Sequence, residues 1–216
     1  LDNLPIDNFN YPLIIKPSDT NSSKGVIRIN GPEQFINSFG YVASFSRSGD
    51  LVVEEYMIGK EYSLDFILIN GSPILISHSQ LRKSSMLMDR FIINRCTMPS
   101  DLSTTALNSI YDFACKISEF YQYINGPLLI QVIVNQDDVK VIEFSCRVGG
   151  GSKHHLIAYY TGFDIINYHV DLVLGKKINQ ILINENNDFY GCYYIYSQKG
   201  LIQSYQGLDE CRDRGD

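Results

Sequence analysis

The sequence predicts an α+β fold built on antiparallel sheet, and three observations carry that expectation. Apolar β-rich runs outnumber helix-like runs. Several of them are joined by turn signals, Asn70-Gly71 and Asn135-Gln136-Asp137-Asp138, that fold a chain back on itself. Neither GxGxxG nor GxxxxGK[ST], the phosphate loops of doubly wound and P-loop nucleotide folds, occurs.

The elements follow in order. Residues 11–16 form a short apolar strand and residues 25–30 (GVIRIN) another, with the polar loop 17–24 between them. Gly31-Pro32 supplies a cap and a first-turn proline, and Phe35, Phe39, Val42 and Ala43 recur at helical spacing up to Phe45. Residues 51–56 make the next strand. The Gly59 turn leads into alternation over 62–69, and Asn70-Gly71 returns residues 73–77 antiparallel. After a polar segment with Arg82, Lys83 and Asp89, residues 90–95 form a further strand. Ser100 caps the longest helix, which carries Leu102, Ala106, Ile110, Phe113, Ile117, Phe120 and Tyr121 on one stripe. Beyond a hairpin, a helix from Lys153 stops at Gly162, and a second from Asp164 to Leu174 is closed by Gly175. Residues 190–196 and 201–205 form a last pair of strands.

The hairpin, residues 131–151 (QVIVNQDDVKVIEFSCRVGGG), is the most informative part of the chain. Side chains two apart on a strand share a face, so Glu143, Ser145 and Arg147 line up, and a turn about Asp137 sets Gln131 opposite Glu143. Ile130, Val132, Val134, Ile142, Phe144 and Cys146 then read as core, with Ile133 and Val141 as an apolar floor to the polar patch. A carboxylate on such a patch calls for a cation, and Mg²⁺ is the natural one: it is hard, takes oxygen ligands and completes its shell with nucleotide phosphates. The plainer alternative is a solvated Glu–Arg pair worth about 0 to 1 kcal/mol. Gly149-Gly150-Gly151 favours the ligand reading, because glycines let backbone approach closely and lead here into a helix whose first amides can meet an anion.

Length and composition bound the rest. With 216 residues, 44% of them hydrophobic, the chain can bury a substantial core. A net charge of −6 without a basic cluster argues against nucleic acid as a partner. No apolar run approaches the roughly 20 residues that cross a bilayer and no signal-peptide pattern opens the chain, so no membrane association and a cytoplasmic location are expected. The five cysteines show no C-x-x-C spacing and read as reduced fillers. His154-His155 is no zinc site on this pattern, since adjacent helical residues diverge by about 100°. Leu1 opens a loop-like segment and DECRDRGD follows without a closing element, which reads as part of a longer protein.

A second constellation lies upstream. Lys16 interrupts LIIK just before Pro17, so its ammonium sits at a strand end, and SDTNSSKG after it offers small hydroxyl residues that can wrap a phosphate, with Gly25 free to take an unusual backbone conformation. Taken together, IIKP, SSKG, VVEEYMIGKEYSLD, and Gln131 with IEFSCRVGGG, in this order over residues 12–175, resemble the ATP-grasp superfamily, in the branch of the carbamoyl-phosphate synthase large chain, biotin carboxylase and amino-acid ligases.

The resemblance implies two α+β subdomains with the nucleotide between them: residues 1–58 as the small one, residues 59–180 as the large one with the metal site, and residues 181–216 as the truncated start of a C-terminal lid. It implies ATP and Mg²⁺, with Mn²⁺ as the alternative ion. Lys16 matches the cation at the α-phosphate and adenine side; Ser22, Ser23 and Gly25 match the loop over the β- and γ-phosphates. Glu54 matches the acceptor of the adenine amino group, Met57 the backbone that reads the adenine edge, and Glu61 the ribose carboxylate. Glu143 matches the glutamate that bridges two metals, Gln131 the residue beside the first, and Arg147 the catalytic arginine at the phosphoryl group. Gly149, Gly150, Gly151 and Ser152 match the backbone that meets the substrate. Ser145 stands where many relatives have asparagine, which puts the second metal in question. The implied activity is ligation of a carboxylate to an amine, both small molecules, through an acyl phosphate. A carboxylase or carbamoyl-phosphate-synthase chemistry, a non-catalytic nucleotide-binding scaffold and a homo-oligomer of the full-length protein stay open. So does an unrelated α+β interaction module. No block of the resemblance covers residues 80–83, whose polar side chains are expected to face phosphate or substrate.

Overall fold

In the small sheet, alternation decides everything. The strand β1 (Leu13–Pro17) buries Leu13, Ile15 and Pro17 on one face. Ile14 and Lys16 therefore point the other way. Strands β2 (Ile27–Ile29) and β3 (Leu51–Glu55) pair antiparallel with its two edges, giving the order β2-β1-β3. The helix α1 (Pro32–Ala43), with Pro32 in its first turn, lays Phe35 and Val42 over Leu13, Ile15 and Ile29. The computed structural model describes residues 5–83, 91–176, 181–184, 188–196, 200, 201, 203, 204 and 206.

Among the described residues the large sheet has six antiparallel strands in the order β8-β7-β4-β5-β6-β9. They are β4 (Lys60–Ile69), β5 (Ser72–Lys83), β6 (Ile93–Met98), β7 (Gly126–Asn135), β8 (Asp138–Ser145) and β9 (Tyr190–Tyr193). Asn70 and Gly71 turn β4 into β5 with φ of 50° and 83°, the positive pair that a two-residue hairpin requires. On one face, Tyr62, Leu64, Phe66, Leu68, Leu128, Ile130, Val132 and Val134 pack on the helix α2 (Thr104–Tyr121) through Ala106, Ile110, Ala114 and Ile117. The opposite face is apolar only at one end, where Ile67, Ile76 and Met98 meet Leu156, Ile157, Tyr160 and Ile165 of α3 (Lys153–Thr161) and α4 (Ile165–Val173). Its middle is polar.

Several expectations are corrected. The cap of α2 is Ser103, whose hydroxyl oxygen accepts from the Ala106 amide at 3.1 Å, and not Ser100; Leu102 precedes the helix. Phe120 and Tyr121 are 77% and 59% exposed, because the buried stripe runs 106, 110, 114, 117 and leaves them past its edge. The strand expected at 90–95 is β6, Ile93–Met98, and Arg90 lies outside the described residues. Among the described residues the last strand pair is not formed within the tail: Tyr190–Tyr193 pairs with β6, Cys96 opposite Cys192, while Leu201, Gln203 and Ser204 are in no strand and Ile202 and Tyr205 lie outside the described residues.

The largest correction concerns parity in β8. Gln131 pairs with Glu143, as expected, but Val132 pairs with Val141 and Ile142 is left between them as a β-bulge. One extra residue flips every side chain on its far side. Val139 and Val141 thus turn into the α2 core, whereas Ile142 faces the opposite side. Cys146, past the strand end, is exposed.

Between β3 and β4 the chain crosses from small sheet to large at residues 56–59. A Cβ on Gly59 would stand 2.6 Å from the Val134 carbonyl oxygen and 2.9 Å from its carbon, both backbone atoms of a central strand. Gly59→Ala must push the crossing away from β7, at a cost of about 1–3 kcal/mol for an overpacked contact. Urea unfolding checks this; a stability within 0.5 kcal/mol of the parent shows that the crossing yields freely.

Candidate functional site

The cleft between the two sheets is a cavity of about 840 Å³. Its roof is the outward face of the small sheet, and its floor is the polar middle of the large one. Lys16 enters because it sits out of phase with the buried residues of β1. Its Nζ lies 2.8 Å from Glu54 Oε2 on the neighbouring strand β3. The loop after β1 bends through consecutive left-handed residues, Ser22 at φ 58° and Ser23 at φ 55°, so that both line the cleft. Gly25 does not line it. At φ 74°, a Cβ there would meet Pro17 Cγ at 2.9 Å and the Phe45 ring at 3.0 Å, so the glycine lets the loop return tightly. Asp19 braces the same loop, accepting from the Ser46 hydroxyl and the Arg47 and Ser48 amides at 2.9 to 3.0 Å. What desolvation it suffers would raise its carboxyl, but those donors outweigh it and hold the group below its ordinary value.

The floor is a row of register partners crossing four strands: Glu143 on β8, Gln131 on β7, Ser63 on β4 and Ser79 on β5. One row over run Ser145, Leu129, Asp65 and Ser77. Glu143, Gln131, Ser145 and Ser63 all line the cleft. Arg147 lines it too, but not by strand alternation: β8 ends at Ser145, and the chain turns so that the Arg147 amide bonds to the Ser145 carbonyl at 2.9 Å. Its Nη1 donates to the Val148 carbonyl at 2.9 Å. Gly149, Gly150 and Gly151 form the next wall, whereas Ser152 caps α3 without lining the cleft and its amide lies 3.4 Å from the Tyr194 hydroxyl. Burial pushes that tyrosine's pKa up.

At the other end, Met57 and Glu61 line the cleft, and Glu61 is ion-paired with Lys83. Lys83 Nζ also stands 5.0 Å from the Phe91 ring centroid. Of residues 80–83, Leu81 and Lys83 line the cleft, whereas Gln80 and Arg82 do not. Of the residues that the family resemblance assigns to nucleotide, metal or substrate, the cleft gathers all but Gly25 and Ser152; the expected floor residue Val141 turns away from it. Sequence reasoning missed Ser63 and Asp65, although KEYSLDF carries the same signal as IEFSCR: polar side chains two apart in an apolar strand. It also missed Lys153, Tyr194 and Tyr196, which no local pattern brings to the cleft.

The His154 and His155 rings lie with centroids 4.0 Å apart, tilted by 39°, and among the described residues no three His, Cys, Asp or Glu converge. A cation on the floor would therefore have one carboxylate, Glu143, with an amide and a hydroxyl as neighbours. No helix among the described residues is long and apolar enough to cross a membrane.

Residues 9–155 match the family described as ATP-grasp domain. The multifunctional protein ura1 of Schizosaccharomyces pombe is 25% identical over 175 residues, which are 80% of this chain and 8% of that protein. The crystal structure of the L-amino acid ligase from Bacillus licheniformis superposes with a TM-score of 0.76 over 95% of this chain and 50% of its own, at 20% identity. The biotin carboxylase complex with βγ-ATP from Campylobacter jejuni does so with 0.67 over 79% and 39%, at 16% identity. The chain spans half or less of the length of each of these proteins, and at such identities the superpositions show the fold.

Proposed function

The chain belongs to the ATP-grasp family, and from that premise we propose that it is the nucleotide-binding core of an ATP-dependent carboxylate–amine ligase. The observation that carries this is the single cleft that sets Lys16 and the Ser22-Ser23 loop on one sheet across from Glu143 and Gln131 on the other. In this reading residues 1–58 and 59–180 are the two halves that hold ATP, residues 181–216 begin a lid, and the protein works in the cytoplasm.

The residues present fit Mg²⁺. The Glu143 carboxylate, the Gln131 amide oxygen and the Ser145 hydroxyl are hard oxygen donors on adjacent strands; of the other glutamates that line the cleft, Glu54 and Glu61 are held by Lys16 and Lys83, and Glu55 stands on β3 of the opposite sheet. With one carboxylate in the set, phosphate oxygens and water would complete the shell. When bound, the ion neutralises charge on the triphosphate.

The chain's own groups position and neutralise. Nucleotide entry exchanges partners in the roof: Lys16 leaves Glu54 for the α-phosphate, and Glu54 then accepts from the adenine amino group. Met57 offers backbone to the adenine edge, and Glu61 takes the ribose. The amides and hydroxyls of Ser22 and Ser23 close over the outer phosphates. A substrate carboxylate oxygen attacks the γ-phosphorus and ADP leaves, while Arg147 compensates charge on the phosphoryl group in flight. An amine nitrogen then displaces phosphate from the acyl phosphate, held against Gly149, Gly150 and Gly151. The first step needs no general base, because phosphoryl transfer rests on alignment and electrostatics.

The test is a phosphate-release screen of the full-length protein with ATP over paired amino acids and small carboxylates. Release that requires both a carboxylate and an amine, and that stops with EDTA, is the expected result. Mg²⁺-dependent nucleotide binding without turnover for any pair would make the domain a non-catalytic scaffold. Absence of nucleotide binding would overturn the reading altogether.

A further inference from the structure

Directly beneath the glycine wall lies a charged pair that the nucleotide reading does not use. Lys153 opens α3, yet it is only 6% exposed. Its Nζ stands 2.5 Å from Asp65 Oδ2 and donates to Ser63 Oγ at 2.7 Å, while the Ser77 hydroxyl donates to the same Asp65 oxygen at 2.8 Å. Asp65 itself is 1% exposed, and its other oxygen, Oδ1, accepts no hydrogen bond. A Cβ on Gly149 would stand 3.1 Å from that oxygen and 3.4 Å from Lys153 Cδ. The glycine backbone thus rests on the pair.

This arrangement is a poor choice for stability alone. The first turn of a helix favours anionic side chains, not an ammonium. A buried ion pair gains little over apolar residues of the same size, because both charges lose their water. What it supplies is direction. Two β4 side chains fix the ammonium, and Ser63 belongs to the same cross-strand row as Gln131 and Glu143. Position along this row is therefore passed through Lys153 to the start of α3, four residues after Gly149.

We propose that Asp65 and Lys153 are positioning residues that set the depth of residues 149–151 and the first turn of α3 over the cleft, so that their amides meet the phosphoryl group beside the nucleotide. The proposal rests on the nucleotide reading above. It assigns the pair no contact with substrate.

The probe is inorganic phosphate, titrated onto the full-length protein saturated with Mg·ADP. The double variant Asp65→Asn/Lys153→Met keeps the shapes and removes both charges together, so no lone charge is left buried. Its thermal midpoint is expected within a few degrees of the parent and its Mg·ADP affinity within twofold, while its phosphate affinity falls at least tenfold. Lys153→Met alone, which leaves Asp65 unpaired, should lose midpoint as well. Unchanged phosphate affinity in the double variant overturns the positioning role, as does an equal loss of midpoint and both affinities, which would make the pair merely structural. A parent that binds Mg·ADP but not phosphate also overturns it. A parent that does not bind Mg·ADP sinks the nucleotide reading, and the positioning role with it.

Discussion

Glu143→Ala in the full-length protein is expected to lower ATP turnover by at least about 10²- to 10³-fold, the scale on which removal of one electrostatic stabiliser acts. The reason is the makeup of the floor. In the row Glu143, Gln131, Ser63 and Ser79 there is one carboxylate, and a hard divalent ion held by an amide and hydroxyls alone is held weakly. The side chain is exposed on the cleft face, so its removal should leave stability within about 0.5 kcal/mol. Paired measurements of ADP release and thermal midpoint decide the matter. Full turnover with the midpoint intact would remove Glu143 from the metal site.

Phe66→Ala should do the reverse and take stability without touching the cleft. Phe66 lies mid-strand in β4, is 1% exposed, and belongs to the cluster closed by α2 on the face away from the nucleotide. Emptying that site costs about 3–5 kcal/mol in lost transfer energy and cavity, which in a chain of this size lowers the midpoint by about 10 °C. Denaturant unfolding measures it. Mg²⁺-dependent nucleotide affinity, taken well below the midpoint, should stay near the parent value, because Ser63 and Glu61 stand on the opposite side of the same strand. A loss below 1 kcal/mol would mean that α2 does not close this face.

The readable parts of the site were those with a local cause. Alternation in β1 put Lys16 out of phase with Leu13 and Ile15, and alternation at the end of β8 put Glu143 with Ser145, so both could be placed in a cleft before any sheet was known. Asn70-Gly71 announced its own turn. Where expectation failed, the cause lay in a partner far along the chain. Ile142 bulges because β8 must match β7, Ser103 caps α2 where packing on the sheet starts the helix, and the tail strand finds β6 rather than its sequence neighbour.

From sequence alone came the α+β class, the antiparallel hairpins and the two polar constellations, since the period of a strand and the chemistry of a turn act over a few residues. Tertiary structure alone decided which side Ile142 and Val141 face, that Arg147 reaches the cleft through a turn, and that Lys153 is buried against Asp65. Those outcomes follow from desolvation and from register between strands tens of residues apart, and neither is written in any short stretch of chain.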